Sequence, residues 1–161
     1  MAMMLRIRSL VERLHRDTRG TVLTEAIVVV PFVTLFSVGI LEFGNMFWQK
    51  EQIETGLRDA ARYLARCPPS SLLSGFVSQC SETTARQIAY YGSPSATAAV
   101  PRVTGWTPAL SPIDFQYPVR NGQKIVVART SHIYSESPLF GWLDPDAVTI
   151  QAYHEQRYVG W

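Results

Sequence analysis

The sequence predicts an α+β protein: a long N-terminal helix that crosses a membrane and continues as a stalk, then a small domain with a second helix and a three- to four-stranded antiparallel sheet. Three observations carry that reading. An uncharged apolar run extends from Ala26 to Leu41 and continues through Phe43, Met46, Phe47 and Trp48 after a single interruption at Glu42. Apolar residues then recur at helical spacing up to Pro68-Pro69. After Val100 the pattern changes to short β-prone runs punctuated by proline and glycine, two of them flanking Asn121-Gly122.

The 161 residues suit one domain and an anchor, with little room for a second core. Charge is unevenly placed. Residues 1–20 hold Arg6, Arg8, Arg13, Arg16 and Arg19 against Glu12 and Asp17, a net of +3 in a chain whose total is +2, so the remainder nets −1. A near-neutral remainder has no electrostatic footprint for a phosphate backbone, which sets nucleic acid aside as a partner.

Residues 21–48 are expected to form the transmembrane helix. They reach about 42 Å at 1.5 Å per residue, enough for a hydrocarbon core of ~30 Å with some tilt. Arginines precede the run and Trp48 follows it, which places the N-terminus in the cytoplasm and everything after Lys50 outside. A cleaved secretory signal is the competing reading, but the run is longer than an h-region, contains Glu25, and lacks a following small-x-small site. Pro31 is expected to kink the helix, which membrane helices tolerate.

The order basic leader, Gly20, four residues, Glu25 and apolar helix resembles the processing site of type IV prepilins and pseudopilins. The resemblance implies cleavage of leader 1–20 by a prepilin peptidase between Gly20 and Thr21, with Glu25 at the acidic position of the mature helix. A carboxylate just inside an apolar span costs a few kcal/mol, so Glu25 needs a counter-charge. A new α-amino group at Thr21, from its own or an adjacent subunit, is suitable; a pair with Arg19 in an unprocessed anchor is the alternative. Arg19 to Arg66 is more narrowly similar to the TadE-like minor pseudopilins of the tight-adherence (Flp pilus) system, on Glu25, Pro31, Glu42 to Gly44, and Arg58 to Arg62. Tyr134, Pro138, Leu139 and Phe140 resemble the family more loosely. The resemblance implies a non-enzymatic assembly component whose partners are sister pseudopilins, pilus-assembly platform proteins and the peptidase. It also implies a place in the inner membrane with the C-terminal domain periplasmic. Glu42, about 25 Å along the helix from Glu25, lies near the opposite membrane face, where it either snorkels or pairs with a basic group of a partner.

The helix extension is expected over residues 49–66. Ile53, Leu57, Ala60, Ala61 and Leu64 form its apolar stripe, ordinary core packing rather than a coiled-coil seam, and Glu54 and Arg58 are spaced for an i,i+4 pair. The extracytoplasmic domain is expected over 67–161, with a loop from Ser70 to Gln79 and a second helix from Glu82 to Tyr91 closed by Gly92-Ser93-Pro94. Strands are expected over Ile113–Val119, Lys124–Tyr134 and Val148–Val159.

Cys67 and Cys80 are the only cysteines. On the outer side they are expected to bridge, a loop closure worth about 3 kcal/mol; two structural thiols are the alternative. Two thiols without nearby histidines do not complete a metal tetrahedron, and neither metal nor cofactor is expected. His132 and His154 sit in strands, no base stands beside a nucleophile, and catalytic residues are therefore not assigned. Trp106, Tyr117, Tyr134, Trp142, Tyr153, Tyr158 and Trp161 are expected to fill the core, with an aromatic recognition face as the alternative. The other function class left open is an unprocessed, membrane-tethered binding or sensor module.

Overall fold

The computed structural model describes residues 19–68, 78–95, 100–134 and 148–160. Leader residues 1–18, Ser70 to Val77 of the expected loop, Pro138, Leu139, Phe140, Trp142 and Trp161 lie outside them, and the side chains of Arg19 and Thr21 are likewise not described. The fold is α+β. Helix α1 spans Arg19–Ala65 and α2 spans Glu82–Tyr91, followed by strands β1 (Asp114–Gln116), β2 (Val119–Arg120), β3 (Gln123–Ile133) and β4 (Thr149–Arg157). The chain divides into two units, Met1–Leu41 and Glu42–Trp161.

Within the first unit, α1 presents its apolar side chains outward all round, and Val22, Phe32, Phe36 and Ile40 are each largely exposed. The hydroxyls in this stretch turn back on the helix: Thr24 Oγ1 donates to the Gly20 carbonyl at 3.1 Å, Thr34 to Val30 at 2.8 Å and Ser37 to Val33 at 2.8 Å. These three hydroxyls are thus satisfied within the helix. The helix runs through Pro31 without a break.

In the second unit, the expected stripe is the core. Ile53, Leu57, Ala60, Ala61 and Leu64 are buried against α2 residues Ala85, Ala89 and Tyr90 and against Phe115, Val126, Ala128, Ile150 and Ala152 of the sheet. Gly56 allows the closest approach: a Cβ there would lie 2.5 Å from the Ala89 carbonyl oxygen and 2.8 Å from Trp106 Cη2. The charged side of α1 differs from expectation at one point. Glu54 pairs with Lys50 at 3.8 Å, one turn earlier, instead of with Arg58. Asp59 reaches across to Arg102 at 2.8 Å.

Helix α2 has both of its ends capped. The Ser81 side chain accepts from the Thr84 amide at 3.1 Å, and Gly92 closes the helix at φ 72° while its own amide donates to Ile88.

The sheet is antiparallel. β3 is central: β1 and β4 both pair with its residues 127–129 and so occupy opposite edges, and β2 continues the β1 edge. Asn121 and Gly122 turn the β2–β3 hairpin with φ 51° and 73°, the left-handed pair that a tight two-residue turn requires. The single strand expected over Ile113–Val119 is instead split into β1 and β2. Pro118 has no N–H to give a ladder, although its carbonyl still accepts from Ile125 at 2.9 Å.

The aromatic residues divide. Trp106 and Tyr134 are buried, whereas Tyr153 on the outer sheet face is 68% exposed and Tyr117 is also exposed, so the aromatic set does not as a whole fill the core. The inward face of β4 meets α1, and its odd-numbered residues lie on the exposed outer face.

Candidate functional site

Two regions of α1 hold the residues singled out from the sequence. The first is its beginning. Gly20 is exposed, and nothing lies within 4 Å of where a Cβ would stand. The peptide joining it to Thr21 belongs to the first turn of the helix, where amides lack intrahelical acceptors. Glu25 is exposed on the same helix, four residues beyond Thr21 and therefore one turn along the same face.

The second region begins at Glu42. Its side chain is only 5% exposed, and its Oε1 has no hydrogen-bond partner. One turn on, Asn45 Nδ2 donates to the Tyr134 hydroxyl at 2.8 Å, and Gln49 is buried. Glu42, Asn45, Gln49 and Ile53 follow one another at three- and four-residue spacing, so the domain covers α1 from Glu42 onward. Sequence hydropathy groups residues 42–48 with the apolar run because Phe43, Phe47 and Trp48, all exposed, lie on the remaining faces. The polar seam beneath them follows helical spacing, and that spacing is the signal that could have revealed it.

Behind the seam is a buried polar cluster that ties the segment after Val100 to β3. The Tyr90 hydroxyl donates to the Ser111 carbonyl at 2.6 Å, Ser111 Oγ shares a 3.0 Å hydrogen bond with His132 Nδ1, and Thr130 Oγ1 donates to Pro112 at 3.2 Å. Burial pushes the Tyr90 phenol up to about 12, so it stays a neutral donor. His132 is thus a structural link. His154 on β4 faces α1, and its pKa is lowered by burial and by Arg58 and Arg62 nearby.

Cys67 and Cys80 are bonded to one another with Cα atoms 5.8 Å apart, across a sequence separation of 13. The Tyr158 hydroxyl donates to the Cys67 carbonyl at 2.6 Å. Lys124 Nζ stands 5.1 Å and 4.8 Å from the Tyr117 and Tyr158 ring centroids, which closes the same end of the domain. Among the described residues no three His, Cys, Asp or Glu side chains gather where a metal ion could be held.

One helix long and apolar enough to cross a membrane, leading into a small α+β domain, fits a single-pass membrane protein. The family model described as TadE-like protein matches residues 20–62, which run from the first turn of α1 almost to its end. The similarity read from Arg19 to Arg66 is therefore found again over that segment. No curated protein and no solved structure is matched by the chain.

Proposed function

We propose that this protein is a processed, non-enzymatic minor pseudopilin that serves a tight-adherence (Flp) pilus or a related secretion system. The observation that carries the reading is the family match at the head of α1, followed by an exposed apolar stretch of spanning length. The family match begins at Gly20, the described apolar side chains from Val22 to Leu41 are exposed, and the domain takes over the helix at Glu42. Val22–Leu41 is then the span; at 1.5 Å per residue it covers about 30 Å, the thickness of a hydrocarbon core. The basic leader stays in the cytoplasm, the disulfide-bonded domain is periplasmic, and the protein sits in the inner membrane.

On this reading the peptidase cuts between Gly20 and Thr21, in a helical turn whose amides are unsatisfied and fray readily. Gly20 places no side chain over the scissile peptide, although its carbonyl accepts from Thr24 Oγ1 and must be released for attack. Cleavage creates an α-ammonium at the positive end of the helix dipole, where it is unfavourable unless an anion is near. Glu25, one turn along, supplies that anion to its own chain or to a sister subunit. The exported domain presents contact surfaces to sister pseudopilins and platform proteins, and Pro31 allows the span to bend as it is packed.

Mass spectrometry of the membrane-extracted protein tests the reading: a mature N-terminus at Thr21 is expected. A chain that retains its leader in cells that contain an active prepilin peptidase would favour a tethered binding or sensor module. Glu25→Gln should still be cleaved but should lose crosslinking to sister subunits, because glutamine keeps the size and removes the charge. Unchanged crosslinking and piliation would remove the assembly role from Glu25.

A further inference from the structure

Among the described residues, one edge of β4 has no strand paired to it and lies beside cationic side chains of α1. The register fixes which backbone groups face it. The Tyr134 amide donates to Val148 and the Tyr158 amide donates to Lys124, so even-numbered β4 residues exchange hydrogen bonds with β3. Odd-numbered residues therefore aim their N–H and C=O groups away from the sheet: Thr149, Gln151, Tyr153, Glu155 and Arg157. Among the described residues no strand pairs there.

Helix α1 runs alongside this edge in the same direction as β4. At one end Met46, Phe47 and Lys50 line a hollow of about 250 Å³ with Thr149, Ile150 and Gln151. At the other end the Val159 and Gly160 amides donate to the Ala65 carbonyl. Between them Arg58 and Arg62 flank His154, whose Nε2 is buried and has no partner. None of the ion pairs among the described residues uses Arg58, Arg62 or Arg157, while Glu54 is held by Lys50 and Glu155 by Arg120. The groove is thus apolar at the Phe47 end, cationic at Arg58 and Arg62, and, among the described residues, unpaired along its backbone.

We infer that the β4 edge of the Glu42–Trp161 unit receives an extended acidic segment of a partner protein, added as a further strand, with acidic side chains toward Arg58 and Arg62 and an apolar residue in the hollow at Met46, Phe47 and Ile150. Main-chain hydrogen bonds hold such a segment, and charge selects it. A second copy of β4 fits less well, because it would bring Arg157 and the flanking helix arginines of both copies to one edge. The inference goes beyond the assembly reading and concerns only the exported unit, so it stands or falls independently of leader removal.

The test uses the full chain in zwitterionic detergent micelles and a labelled, end-capped nine-residue peptide, Glu-Val-Glu-Val-Glu-Val-Glu-Val-Phe, in which the acids and the Phe share one strand face. Anisotropy titration should show saturable binding that weakens with salt and falls by roughly ten-fold or more in Arg58→Glu/Arg62→Glu. Both arginines are exposed, so that variant should fold. N-methylation of alternate peptide amides should abolish binding. Hydrogen exchange should slow at Gln151, Tyr153 and Glu155 only when the peptide is present. Equal binding by the lysine counterpart of the peptide, indifference to N-methylation, or absence of binding would overturn the inference. So would edge amides already protected in the free protein, because the edge would then be occupied by the chain itself or by a second copy.

Discussion

Replacing Gly56 by alanine sets two opposed effects against each other, and the structure decides the sign. In an exposed helix the change would be favourable by up to about 1 kcal/mol, since glycine loses more backbone entropy on folding. At Gly56, however, the new methyl would stand 2.5 Å from the Ala89 carbonyl oxygen and 2.8 Å from Trp106 Cη2. Neither neighbour gives easily: one is the backbone of α2, and the other is a wholly buried indole packed on Tyr90 at a ring-centroid distance of 4.8 Å. Overpacking of this kind costs about 1–3 kcal/mol, and contact with backbone belongs at the upper end. The net expectation for Gly56→Ala is a loss of about 1–2 kcal/mol, or a melting temperature lower by roughly 2–8 °C. Gly44 provides the control on the same helix, because nothing lies within 4 Å of its added Cβ. Gly44→Ala should be neutral or stabilising by up to about 1 kcal/mol. Urea and thermal unfolding of the full chain in detergent, followed by near-UV circular dichroism of the tryptophans, measure both. A Gly56→Ala protein as stable as wild type, or an equal loss at Gly44, would refute the claim that close crossing of α1 and α2 requires the glycine.

Three further outcomes are expected. Replacing Cys67 and Cys80 together by serine should lower unfolding stability by about 3 kcal/mol in the chain-entropy account, a loss that reduction of the wild type should reproduce. Glu42→Gln should raise the stability of the isolated protein by about 1 kcal/mol, because the orphaned buried oxygen no longer belongs to a group able to carry an unpaired charge; lower stability would mean that a cation holds the carboxylate. His154 has a folded pKa below its unfolded value, through burial first and Arg58 and Arg62 second, so it stays neutral in the native state while the unfolded chain binds a proton. Its contribution is therefore complete above the unfolded value of about 6.5 and is lost as pH falls below it. His154→Gln should flatten the decline in stability as pH falls through and below about 6.5, and an unchanged slope would assign that decline to other groups.

Much of the architecture was legible in local chemistry. Uninterrupted hydropathy defined the exposed start of α1, three- and four-residue spacing defined its core stripe, Ser81 and Gly92 bounded α2, and Asn121-Gly122 announced a hairpin; these signals act within a few residues and need no distant partner. The aromatic set was harder to read, because Tyr153 and Tyr134 have the same composition and propensity. Strand parity and the edge position of β4 put Tyr153 outside, while the Asn45 contact takes Tyr134 in.

The sequence by itself determined that an apolar helix precedes a small α+β domain and that Gly20, Thr21 and Glu25 stand at the head of that helix, since charge, hydropathy and order along the chain are local properties. Only the tertiary structure decided where the free helix ends. Glu42 lies inside a run that hydropathy treats as continuous, yet the domain buries one face of α1 from that residue onward. Likewise, the close approach at Gly56, the Asp59–Arg102 pair and the β4 edge, unpaired among the described residues, depend on which elements meet across tens of residues. Such meetings are set by the packing of complete faces, and no window of sequence shorter than the fold contains them.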